Sequence, residues 1–260
     1  MSIDSPSPTL TVTRTGSGPA LLLAHGAGGG VTPNFSQVIE EMAGDRTLIG
    51  VDYPGSGTSP LATAPYTVDD LADALVDAGR NAGFKRFPIL GLSLGSAVAM
   101  TAALRHPEAV SALILTVGFA YADPQLRLAV DIWRSLASHD LDVLARFLTM
   151  LATPSLLEEG VDVDEVVAAV SENIPLGGPQ QAALAAEVEL RDRLKQITIP
   201  TLVVAAGMDR IVQPSSTRAL AAGIAGSVLV EYPQAGHIFT TDEASAWIAD
   251  IRKFLALQNV

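Results

Sequence analysis

Seven short apolar runs punctuate the chain, at residues 10–14, 20–24, 47–52, 87–90, 109–117, 201–206 and 228–232. Several are apolar almost throughout, which suits strands buried on both faces. Amphipathic stretches separate them, at 34–42, 68–82, 93–105, 215–224 and 243–257. Strand and helix alternating in this way predicts an α/β fold, with a mainly parallel, twisted sheet of about seven to eight strands and helices on both faces. With 260 residues the chain can bury one substantial core and still carry an insertion.

The alternation breaks once. Between residues 121 and 195 no strand pattern occurs. Asp123-Pro124 is a helix start, with Asp as N-cap and Pro in the first turn. Leu126, Ala129, Val130, Trp133, Leu136 and Ala137 then share a face, and Leu141, Leu144, Phe147, Leu148 and Leu151 repeat the pattern. Val166, Val167 and Val170 open a third helix, and a fourth is expected from Pro179 to about residue 194. The expected division is a core of residues 1–120 and 196–260, with an all-helical cap of 121–195 above the sheet.

Charge and composition exclude some functions. The formal net charge is −12, which repels phosphate backbones and argues against nucleic-acid binding. No cysteine is present, so disulfides and thiolate catalysis are excluded. No basic start followed by an apolar run marks a signal peptide, and no apolar run approaches the roughly 20 residues needed to cross a bilayer. The expectation is a cytoplasmic protein without a membrane partner, as monomer or homodimer. No carboxylate or histidine cluster has metal-ligand spacing, so no metal is expected.

The strongest local signal is Gly91-Leu92-Ser93-Leu94-Gly95, between the apolar run FPIL and an amphipathic helix. A serine on such a strand-to-helix turn stands above the sheet edge, at a helix N-terminus that favours developing negative charge. Its hydroxyl is a weak nucleophile and needs a base. Of four histidines, His237 directly follows the strand at 228–232 and so reaches the same edge. His106 ends the elbow helix, His139 sits between two cap helices, and His25 begins a glycine-rich turn. A carboxylate must hold the base in one tautomer. Asp209, in the loop after the strand at 201–206, is the candidate. Asp123 is a weaker rival, since helix capping accounts for it. The chain order Ser93, Asp209, His237 is that of a hydrolase elbow.

An oxyanion needs backbone donors about 3 Å from the developing charge. Leu94, next to the nucleophile, offers one N–H. Ala27, in the turn His25-Gly26-Ala27-Gly28-Gly29-Gly30, is the candidate second. That turn superficially resembles a dinucleotide loop, but Val31 replaces the last small residue and Pro33 is expected to interrupt the helix start. Leu92, Phe119, Trp133, Phe147, Met150 and Ile238 are candidates for an apolar substrate lining.

With these residues placed, the chain resembles the α/β-hydrolase superfamily over nearly its whole length. The matching segments are His25-Gly26-Ala27-Gly28, Asp52-Tyr53-Pro54-Gly55-Ser56-Gly57-Thr58-Ser59, Gly91-Leu92-Ser93-Leu94-Gly95, Arg105-His106-Pro107, Ile199-Pro200-Thr201-Leu202 before Asp209, and Gly236-His237. The resemblance implies an eight-stranded sheet, a helical cap after the sixth strand, no cofactor and an acyl-enzyme. It is nearest to small esterases, enol-lactonases and carbon–carbon bond hydrolases. Only one strand-like run precedes residues 20–24, where that family has two. Ser93 in place of Asp argues against a dehalogenase. The expected activity is a serine hydrolase acting on a small-molecule carbonyl substrate, a medium-sized, largely apolar ester or lactone. A thioesterase, a carbon–carbon hydrolase or a cyclase would use the same residues. A ligand-binding protein without turnover would keep the fold alone.

Overall fold

The computed structural model describes residues 10–157 and 160–260. Seven strands form one sheet among them: β1 (Val12–Gly16), β2 (Ala20–Ala24), β3 (Thr47–Val51), β4 (Phe87–Leu92), β5 (Val110–Thr116), β6 (Thr201–Ala206) and β7 (Val228–Tyr232). Their order is β1-β3-β2-β4-β5-β6-β7. β1 runs antiparallel to β3, and every other pairing is parallel. The central strands therefore end at one common edge.

Period-2 geometry divides each apolar run between two cores. Leu22, Ile89, Leu113, Leu115 and Val203 face one side, where they meet α2 (Val68–Asn81) and α3 (Leu94–Arg105). Leu21, Leu23, Leu90, Ile114 and Val204 face the other, against α1 (Val31–Met42) and α9 (Thr241–Gln258). Each fully buried Leu, Ile or Phe contributes roughly 1.5–3 kcal/mol. Capping boxes at Thr67/Asp70 and Thr240/Glu243 fix where α2 and α9 begin.

Between β5 and β6 lie α4 (Pro124–Ala137), α5 (Leu141–Ala152), α6 (Val163–Ser171) and α7 (Gly178–Glu187), and between β6 and β7 lies α8 (Pro214–Gly223). Asp123 caps α4 by accepting the Leu126 N–H at 2.9 Å, and its other oxygen accepts from Ser216 Oγ at 2.7 Å. The two ends of this insertion meet. Leu190 N–H donates to Ala120 O at 2.7 Å, and Ala122 N–H to Val188 O at 3.2 Å.

Several helix boundaries differ from expectation, those of α1 and the fourth insertion helix by three residues or more. α1 begins at Val31, three residues before the expected start at residue 34, and includes Pro33. The first turn has no acceptor for an N–H at that position, so proline is accommodated there; the helix bends instead at Phe35, with φ −127°. The fourth insertion helix ends at Glu187 and does not reach residue 194. Val188 turns extended, the chain zips against residues 120–122, and a 3-10 turn follows over Arg191–Gln196. Among the described residues no helix is long and apolar enough to cross a membrane.

Candidate active site

β4 delivers Ser93 to the edge in a left-handed conformation, φ 56° and ψ −120°. Such backbone costs of order 1–3 kcal/mol and persists only where its surroundings enforce it. The Ser93 N–H donates to Thr116 O at 2.9 Å, and Ser96 Oγ donates to Gly91 O at 3.0 Å. Both flanking glycines are sterically required. A Cβ on Gly91 would collide with the Gly95 carbonyl, and one on Gly95 with the Ala24 carbonyl. Ser93 caps α3 without a side-chain hydrogen bond. Among the described residues no protein acceptor takes the Leu94 or Ala27 N–H.

The loops after β6 and β7 bring a carboxylate to an imidazole. Gly207 N–H donates to Tyr232 O, and Met208 N–H to Ala235 O, both at 2.8 Å. Asp209 Oδ1 accepts the N–H groups of Ile211 and Val212 at 2.8 and 2.9 Å. Its Oδ2 lies 2.7 Å from His237 Nδ1, with both residues buried. A carboxylate can only accept there, so Nδ1 carries the proton and Nε2 is left as a base.

The glycine-rich turn is held from below. His25 is fully buried, stacked on Tyr53 at 3.7 Å between ring centroids. Burial pushes its pKa down to about 4, so the ring is neutral. Its Nε2 accepts the Tyr53 N–H at 2.9 Å, which requires the remaining proton on Nδ1, donated to Gly26 O at 2.8 Å. Gly26 N–H donates to Asn34 Oδ1 at 2.9 Å. In a trans peptide the C=O and N–H point opposite ways, so anchoring Gly26 O also fixes the direction of the Ala27 N–H. Asp52 Oδ1 accepts the Val31 N–H at 2.7 Å and secures the start of α1.

Ser93, His237 and Ala27 line one cavity of about 400 Å³ between the sheet edge and the insertion. Leu92, Phe119, Trp133, Phe147 and Ile238 line it too, while Leu94 is buried behind it. Met150 does not line the cavity and is 47% exposed. α5 turns its Leu144, Leu148 and Leu151 face inward, and a residue at position 150 falls outside that stripe. Among the described lining residues none is Lys, Arg, Asp or Glu. Trp133 lies directly over Gly28, where an added Cβ would strike its indole. Contributors that the sequence reading does not single out include Leu148 and Leu151 in the wall, and Asn34 and Gln181 bonded to the glycine-rich turn. Leu151 stood on the expected apolar face of its helix; the two amides carry no sequence signal.

Comparison with known proteins agrees with this architecture. The family model described as alpha/beta hydrolase fold matches residues 19–244. The chain is 29% identical over 250 residues to pyrrolizixenacetamide deacetylase of Xenorhabdus hominickii, covering 94% of each chain. It is 31% identical over 241 residues to a pimeloyl-[acyl-carrier protein] methyl ester esterase of Neisseria meningitidis, covering 85% of this chain and 88% of the relative. A crystal structure of a hydrolase from Pseudomonas aeruginosa superimposes with a TM-score of 0.84 at 26% identity, covering 96% of both chains. Sequence, sheet topology and these relatives together establish that the chain belongs to the α/β-hydrolase fold family and is related to esterase-like hydrolases.

Proposed function

We propose that the chain is a serine hydrolase that cleaves a medium-sized, largely apolar ester or lactone through an acyl-enzyme. One observation carries this reading. His237, bonded to Asp209 at 2.7 Å, lines the same cavity as a serine held in a strained turn.

In this mechanism His237 Nε2 takes the Ser93 proton as the serine oxygen attacks the substrate carbonyl carbon. The N–H groups of Ala27 and Leu94 bind the resulting oxyanion, each worth about 2.7–4 kcal/mol in the transition state. The tetrahedral intermediate collapses, the ester C–O bond breaks, and the leaving alcohol takes the proton from His237. Water, deprotonated by the same imidazole, then attacks the acyl-enzyme and releases the acid and free Ser93. Asp209 holds the tautomer and stabilises the imidazolium formed in each half. The insertion, residues 121–195, serves as the cap that selects substrate. Its apolar wall and the lack of charged lining among the described residues favour a neutral substrate.

A fluorophosphonate probe tests the reading. The folded protein should be labelled and Ser93→Ala should not, and a panel of p-nitrophenyl esters, lactones and acyl thioesters should reveal turnover. A folded wild type that resists labelling would instead favour a binding protein of the same fold.

A further inference from the structure

Gln181, on α7, is fully buried and has partners for its whole amide. Its Oε1 accepts the Gly28 N–H at 2.9 Å. Its Nε2 donates to Pro54 O at 3.1 Å and to Ser56 Oγ at 2.8 Å. Gly28 N–H can only donate and Pro54 C=O can only accept, so the amide has one allowed orientation. Ser56 Oγ closes the circuit by donating to Gly29 O at 2.6 Å. Beside it, Gly177 N–H donates to Gly55 O at 3.2 Å, docking the start of α7 on the same loop.

The two sides of the Ala27 N–H are thus held by different parts of the chain. His25 and Asn34, from the core, fix Gly26. Gln181 fixes Gly28. Among the described residues it makes the one side-chain hydrogen bond from the insertion onto residues 25–30. We propose that Gln181 is a positioning residue for the oxyanion site, so that turnover depends on α7 being docked. This rests on the serine-hydrolase reading with Ala27 as oxyanion donor. A substrate wall would influence binding; a residue that aims an oxyanion donor acts on the transition state.

Gln181→Met keeps the side-chain volume and removes all three hydrogen bonds. The expected result is a fall in kcat of about 10-fold or more, with KM within about twofold, since small misplacements of an oxyanion donor are costly. A second readout separates positioning from simple support. An alkyl boronic acid adds Ser93 Oγ to boron, with the serine proton passing to His237, and the adduct places an oxygen in the oxyanion site. Its affinity should fall by the same factor as kcat. Affinity for the amide analogue of the ester should stay within about twofold, because that ligand tests the ground state. Equal losses for boronic acid and amide analogue, or wild-type kcat in Gln181→Met, would overturn the proposal. If Gln181→Met does not fold, Ser56→Ala gives the decision. It cuts one support of the Gln181 amide and should lower boronic-acid affinity selectively; an unchanged ratio of the two affinities overturns the proposal. A folded wild type with neither turnover nor boronic-acid binding would defeat the hydrolase reading itself, and this proposal with it.

Discussion

At the carboxyl edge of the sheet the side chains that support the site are fixed by named polar partners. Asp209 accepts two N–H groups and the imidazole, and His25 bonds through both nitrogens. The insertion meets the same cavity mainly with aliphatic and aromatic side chains, among them Leu148, Leu151, Val166 and Val170. Hydrogen bonds are directional and fail when a partner is lost, whereas apolar volume can be exchanged at modest cost. Changes at the edge should therefore alter the rate, and changes in the insertion should alter which substrate is accepted. Gln181 is the proposed exception.

The sharpest way to break this contrast is Asp209→Asn. The amide would offer an N–H to His237 Nδ1 and favour the wrong tautomer, so kcat should drop by about 10³–10⁴-fold with native circular dichroism retained. A drop of less than tenfold in steady-state assays would erase the distinction.

Next in size is a pH effect that belongs to the edge alone. His25 has a pKa near 4 in the folded protein, against 6.5 for the ordinary side chain. Between those values the unfolded chain binds more protons, so stability is highest above pH 6.5 and falls as pH drops toward 4. The loss should amount to about 3 kcal/mol. Urea unfolding at several pH values in this window would measure it, and His25→Gln should flatten the slope by one proton's contribution.

The smallest effects sharpen the comparison from the insertion side. Phe147→Ala enlarges the cavity and should shift the ratio of kcat/KM between long-chain and short-chain esters by about 10-fold, with little change in kcat on the preferred chain. Met150→Ala on the same helix should leave that ratio unchanged and stability within about 0.5 kcal/mol.

The same contrast governs how much could be read from sequence. Runs such as ALLLA and FPIL announce strands because burial on both faces leaves no room for polar residues. The elbow is legible because Gly91 and Gly95 answer to backbone collisions within a few residues of Ser93 or on the adjoining β2. Asp209 and His237 are legible because each directly follows a strand ending at the shared edge. Met150 departs from its expected place through helical phase: α5 rotates about 100° per residue, and its inner stripe takes Leu151. Gln181 was invisible for another reason. Its partners, Gly28, Pro54 and Ser56, lie more than a hundred residues away, and a glutamine in an amphipathic helix ordinarily faces water.

The contact between Trp133 and Gly28 bears on how this pocket could drift toward bulkier acyl chains. The indole that lines the pocket, and on the proposed mechanism would limit room for the acyl group, is also the surface on which the glycine-rich turn rests. Trimming it would widen the pocket and loosen the turn together, so gains in range would arrive with slower chemistry. Phe147 lines the pocket from α5 instead, and it is where a broadened specificity would first take hold.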